Sequence, residues 1–272
     1  MSYHNSTIQN GSEYKLKELL QDALKHITMF DTIEYITLAK EDTALVATGI
    51  DVTKSVMVRV VYDDTVAGVE NFDRFMCLGQ LKFLKRVIEM DQVKDTGTVE
   101  LIDGASFEGD EIYKGLLFKG KRVKIGYQAV DPKAVKGRNG RKYPQMVDVP
   151  ASLSIPISPE AASEFKQMST LQKMMVTKDA TIFTTHTVDN NLVLRFPYND
   201  NQIEMIMYEN IDGFIDDGLI FESSIAEKAM NMATKSKSSM LNIGGVFMDI
   251  HAETDIGKYH IRIPKNSLVK RF

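Results

Sequence analysis

Glu34-Tyr35-Ile36-Thr37-Leu38-Ala39-Lys40-Glu41-Asp42-Thr43-Ala44-Leu45-Val46 is a run of β-branched, aromatic and aliphatic residues broken once, at Glu41-Asp42, by a turn. That pattern predicts a β-hairpin. It returns at residues 181–193, where Ile36 meets Phe183, Asp42 meets Asp189, Leu45 meets Leu192 and Val46 meets Val193, each pair 147 positions apart. Tyr62 with Tyr208, Phe75 with Phe221 and Leu84 with Met230 follow at 146, so one deletion reconciles the two series. An internal repeat on this scale points to a duplicated domain.

The flanking segments repeat as well. Upstream of the first hairpin, Leu16, Leu19, Leu20, Ala23, Leu24 and Ile27 recur at helical spacing behind Ser12 as N-cap. Upstream of the second, Ser158 and Pro159 open a helix lined by Ala162, Phe165, Met168 and Leu171. Each hairpin is followed by a third strand (56–62 and 203–208), a short strand and a second helix. Leu81, Leu84, Val87 and Ile88 stripe one of these helices, and Ile225, Ala229 and Met232 the other. Strands at 99–102, 116–118 and 123–127 close the first copy, and a hairpin of 246–252 with 258–263 closes the second.

The expected organisation is therefore a polar tail (1–11), a first domain (12–130), a connector (131–152) and a second domain (153–272), each domain α+β. The connector is basic and rich in Gly and Pro.

Composition removes several function classes. No apolar run approaches the roughly 20 residues of a membrane span, and residues 1–11 lack the pattern of a secretory signal, so a cytoplasmic location is expected. The single cysteine, Cys77, sits between Met76 and Leu78 and reads as a core thiol. His4, His26, His186, His251 and His260 show no metal-ligand spacing, so neither metal nor cofactor is expected. Residues 115–122 approach a phosphate-binding loop but carry Arg122 where a hydroxyl must hold Mg²⁺. The pairs Asp63-Asp64 and Asp216-Asp217 read as turns, and no catalytic set emerges.

Net charge is −4, yet the charges are segregated. The predicted helices carry eleven cations, Lys15, Lys17, Lys25, Lys82, Lys85, Arg86, Lys166, Lys173, Lys228, Lys235 and Lys237, against seven acids. Four similar helices on one side of two domains would present a basic face suited to DNA phosphates without base reading.

The repeated order of helix, hairpin, strand and helix resembles the DNA sliding clamps, in particular the two-domain clamps of T-even-like phages and of eukaryotes and archaea. Two local stretches add to it: 221–233, which includes Ser223-Ser224-Ile225-Ala226-Glu227-Lys228-Ala229, and the end of the last hairpin, Tyr259-His260-Ile261-Arg262-Ile263-Pro264-Lys265. The resemblance implies a non-enzymatic homotrimeric ring around double-stranded DNA, with antiparallel sheets outside and helices inside. It further implies a replicative polymerase as partner, a separate clamp loader, and, for a phage protein, the host cytoplasm.

It also implies a subunit contact in which strand 121–127 pairs edge to edge with 202–208 of a neighbour, so that Lys121, Arg122 and Lys124 approach Glu204, Glu209 and Asp212, with Met205 and Ile206 in the same interface. A partner-binding pocket is implied near Met146, Val147, Ile261 and Pro264. The connector is longer and more basic than is usual in that family. Two other readings remain beside it, a metal-dependent DNA-processing enzyme on a duplicated αβ fold and a structural phage ring protein.

Overall fold

The computed structural model describes residues 12–51, 53–66, 68–135, 146–176, 181–215 and 218–266. The chain divides into two compact units, one of Met1–Ile50 with Val60–Gln145 and the other of Asp51–Arg59 with Met146–Phe272.

The first unit runs α1 (Ser12–Ile27), β1 (Ile33–Glu41), β2 (Ala44–Asp51), β3 (Met57–Tyr62), β4 (Met76–Leu78), α2 (Leu81–Glu89), α3 (Asp91–Lys94), β5 (Thr98–Ala105), β6 (Glu111–Lys119), β7 (Lys124–Gln128) and α4 (Pro132–Val135). The division between Arg59 and Val60 falls inside β3. Its strands run in the orders β4-β1-β2-β3 and β5-β6-β7. Leu20, Leu24 and Ile27 of α1 and Leu84 and Ile88 of α2 are fully buried, together with Val99, Leu116 and Phe118 of the three-stranded sheet. The apolar stripe at helical spacing thus folds onto strands whose inward residues alternate.

The second unit runs β8 (Leu153–Pro156), α5 (Pro159–Met175), β9 (Ile182–Val188), β10 (Asn191–Tyr198), β11 (Asn201–Tyr208), β12 (Leu219–Glu222), α6 (Ser223–Ala233), β13 (Ser238–Ile243), β14 (Phe247–Glu253) and β15 (Lys258–Pro264). Its sheets are ordered β11-β10-β9-β12 and β15-β14-β13-β8. Phe165 of α5 packs edge-on against Phe183 and Phe196, with centroids 5.1 and 5.3 Å away, and Phe221 joins them. Ser158 caps α5 by accepting a hydrogen bond from Ala161 N, with Pro159 at the first helical position.

The order helix, three strands, short strand, helix, three strands occurs in both units. Asp42 and Asp189, equated above, both turn their hairpins in the left-handed region, at φ 51 and 49. One equivalence changes. Ile36 faces Leu78 across β1 and β4, and Phe183 faces Phe221 across β9 and β12. Leu78 and not Phe75 is therefore the counterpart of Phe221, because a single helical turn at Val69–Asn71 delays β4.

The stripe on α5 is also corrected. Ala162 and Phe165 are buried, but Leu171 is exposed, and Ser169 and Gln172 are buried in its place. Gln172 Nε2 donates to the carbonyls of Ile182 (2.6 Å) and Pro197 (2.8 Å), and its Oε1 accepts from Ser223 Oγ (3.0 Å). A fully partnered amide is tolerated in a core where an unpartnered one is not.

Candidate nucleic-acid and subunit interfaces

In the first unit α1 packs along α2. Lys25, Lys82 and Arg86 are exposed and Lys85 half-buried. A cleft between these helices is floored by Leu24 and Ile88 and rimmed by Lys25, Lys85, Lys94 and Glu89. Lys94 escapes a reading of the sequence because the four-residue α3 that carries it is too short to show a period. The Lys15 side chain lies outside the described residues.

Lys17 does not face solvent. It is buried, and its Nζ donates to the carbonyls of Val93 (3.3 Å), Lys94 (2.7 Å) and Gly97 (3.1 Å), closing the C-terminal end of α3. Burial lowers its pKa, against the raising pull of Glu18 and Asp95. A lysine stem within an apolar stripe can snorkel to internal oxygens as readily as to water. Lys17 is therefore a structural cation and leaves the DNA-facing set.

In the second unit α5 packs on α6. Lys166 is exposed and Lys228 half-buried. Lys173 Nζ donates to Glu227 Oε2 at 2.7 Å, and the same oxygen accepts from Ser169 Oγ at 2.9 Å. Burial works to raise the Glu227 carboxyl, and Lys173, Ser169 and Lys166 outweigh it, so its pKa lies below the ordinary carboxylate value. Lys235 and Lys237 are exposed but lie beyond α6, which ends at Ala233, and Lys237 Nζ sits 3.2 Å from Asp255.

β7 and β11 are each the terminal strand of their sheet. An edge strand presents unpaired N–H and C=O groups, a template for another strand. On β11, Met205 is buried while Ile206 is half exposed. Glu204 pairs with Arg195 Nε at 2.8 Å, and Glu209 lies exposed just past the strand. Lys124 opens β7, whereas Lys121 and Arg122 lie in the bend before it, all three exposed.

Of the expected partner pocket, Val147 and Pro264 are exposed and Met146 is half-buried. Ile261 is wholly buried inside β15 and offers no surface, since β15 alternates and its even positions face outward. Val246, 62% exposed beside the pairing of Phe247 with Pro264, is an apolar residue the sequence did not single out. Arg262 Nη1 donates to the Val147 carbonyl at 2.6 Å and so holds the C-terminal part of the connector. Residues 136–145 of that connector lie outside the described residues.

The glycines of 115–122 serve the fold. A Cβ on Gly115 would meet the Tyr127 carbonyl oxygen at 2.3 Å, and one on Gly120 the Gln92 carbonyl oxygen at 2.5 Å. Both mark close backbone approach at a strand, not a phosphate cradle. Asp64 lies exposed in a turn beside Asp63, and Asp216-Asp217 lie outside the described residues. Among the described residues no helix is long and apolar enough to cross a membrane.

No protein-family model and no curated protein sequence matches the chain. Solved structures do. The proliferating cellular nuclear antigen of Entamoeba histolytica aligns at 11% identity and a TM-score of 0.62, over 92% of this chain and 96% of its own. A. fulgidus PCNA, solved with the C-terminal region of FEN-1 bound, aligns at 16% and 0.62 over 93% and 97%. The Helicobacter pylori beta clamp, bound to a DNA ligase peptide, aligns at 13% and 0.59, over 94% of this chain and 67% of the larger clamp. Matched along nearly its whole length and built from two copies of one α+β unit, the chain has the fold of the DNA sliding clamps.

Proposed function

We propose that this chain is one subunit of a homotrimeric ring that encircles duplex DNA and tethers a replicative polymerase, itself catalysing nothing. The observation that carries the reading is the clamp fold along more than nine-tenths of the chain, with cation-bearing helix pairs in both units. Lys25, Lys82, Lys85, Arg86 and Lys94 in the first unit, and Lys166 and Lys228 in the second, supply point charges for phosphates, with Lys15 added from the sequence. Contacts of this kind are indifferent to base sequence, so the ring slides. Tethering turns polymerase dissociation into local rebinding at high effective concentration.

Two sheet edges per subunit suit closure by edge-to-edge pairing of β7 with a neighbour's β11. Lys121, Arg122 and Lys124 would then meet Glu204, Glu209 and Asp212, with Ile206 covered. Val147, Val246 and Pro264 would receive a short apolar segment of the polymerase or loader, in line with the A. fulgidus and H. pylori clamps, which carry the C-terminal region of FEN-1 and a DNA ligase peptide. Domains at 12–130 and 153–272, a cytoplasmic site of action and a phage source belong to the same reading.

The test is polymerase stimulation on primed circular DNA in the presence of the cognate loader. Retention on the circle and release on linearisation support the ring. Equal retention on both, or a particle that stays near 30.6 kDa at high concentration, overturns it.

A further inference from the structure

We propose that Asp249, His251 and His260 form a binding site for a borderline divalent transition-metal cation, of the Zn²⁺, Ni²⁺ and Cu²⁺ class, on the terminal hairpin. The strand register creates it. β14 and β15 pair Asp249 with Arg262 and His251 with His260, so alternation brings all four side chains to one face of the sheet. The two imidazole rings lie 4.2 Å apart, centroid to centroid, tilted by 36°. His260 Nε2 is 2.9 Å from Asp249 Oδ2, within ion-pair reach yet without the alignment of a hydrogen bond, and that buried nitrogen has no other hydrogen-bond partner among the described residues. One donor atom from each of Asp249, His251 and His260 lies within 4.8 Å of the others.

Metal–nitrogen and metal–oxygen distances of about 2.0–2.2 Å require tetrahedral donors to approach to about 3.4 Å. The donors would close this gap by rotation of the exposed His251 and half-buried His260 side chains, on strands whose register already makes them neighbours. His251 also leaves the ion a path from solvent. Two imidazoles and one carboxylate select borderline ions, whereas Mg²⁺ and Ca²⁺ need oxygen-rich sites.

Arg262 completes the arrangement from behind. Its Nε and Nη2 donate to the two Asp249 oxygens at 2.8 and 2.7 Å, fixing the carboxylate as an outer hydrogen-bond partner does for a metal ligand. Each carboxylate oxygen keeps a second lone pair for the ion. The guanidinium charge opposes the cation, so the site is weaker than a closed structural zinc site. Histidines nine residues apart in sequence show no ligand spacing, and only the strand pairing reveals them as neighbours.

The experiment titrates the metal-free full-length protein with Zn²⁺ and with Cu²⁺. About 100 µM Zn²⁺ is expected to raise Tm by mass action on the folded state, and Mg²⁺ at equal concentration is not. The Cu²⁺ adduct should show equatorial imidazole nitrogens by electron paramagnetic resonance. His251→Asn and His260→Asn should each weaken binding at least tenfold, and His186→Asn should leave it unchanged. Absence of a Zn²⁺-dependent rise and of a Cu²⁺ adduct overturns the site, as does undiminished binding in His251→Asn, whose side chain is exposed. Ring assembly is scored separately by the primed-circle assay, so failure of one leaves the other standing.

Discussion

Lys17 Nζ lies 2.7 Å from the carbonyl oxygen of Lys94, joining the first helix of the chain to the end of α3. The same ammonium donates to the carbonyls of Val93 and Gly97, the former also accepting from Gly97 N at 3.1 Å. Lys17→Met keeps the stem and removes the donor to the Lys94 and Gly97 carbonyls, while Val93 O keeps its bond from Gly97 N. The expected loss is about 2–4 kcal/mol, read as a lower urea midpoint at unchanged m-value. An unchanged midpoint would mean water satisfies those carbonyls.

Glu227 ties α5 to α6 through Ser169 and Lys173. Its folded pKa lies below its unfolded value, so its contribution is present above the unfolded value of about 4.3 and is lost as pH falls through the folded one. Glu227→Gln should therefore lower Tm at pH 7, and the gap between variant and wild type should narrow steadily as the pH drops below about 4. A gap independent of pH would assign the effect to packing.

The cleft cations Lys25, Lys85 and Lys94 gather three charges from three helices. Their triple alanine variant should reduce the slope of log K for duplex DNA against log salt by up to about 0.9 for every phosphate that is no longer neutralised, with no change in sequence preference. Measurement of binding by anisotropy across a salt series checks this. An unaltered slope removes the cleft from the DNA-facing surface.

Ile206, half exposed on the edge strand β11, should be covered in the assembled ring. Ile206→Glu places a charge where β7 of a neighbour would pair and should raise the dissociation constant for self-association more than tenfold, since an unpaired buried charge costs several kcal/mol. Sedimentation of wild type and variant across a dilution series provides the test, and identical profiles would move the subunit interface elsewhere.

The duplicated order of elements was legible because hairpins and amphipathic helices carry their periods in plain residues, and the match of Asp42 with Asp189 reaches the backbone torsion itself. What escaped was set by polar side chains that find partners indoors. Lys17 and Gln172 look like solvent residues in sequence, yet each ends among carbonyls that no local pattern announces. The same holds for Ile261, whose place inside β15 follows from strand parity, and for Phe75, displaced from its expected equivalence by one helical turn at Val69–Asn71. The edge segments 121–127 and 202–208 rest on the family resemblance, since the sheet order that makes β7 and β11 terminal strands is not encoded in a single strand's sequence.

Cys77 is buried in β4, and burial with the nearby Asp131 pushes its thiol up to about 12. The native chain is thus nearly silent toward maleimides and oxidants at neutral pH. Cysteines introduced in pairs along two strand edges would report through their own sulfurs, letting an oxidant lock a closed circle and a reductant reopen it on command.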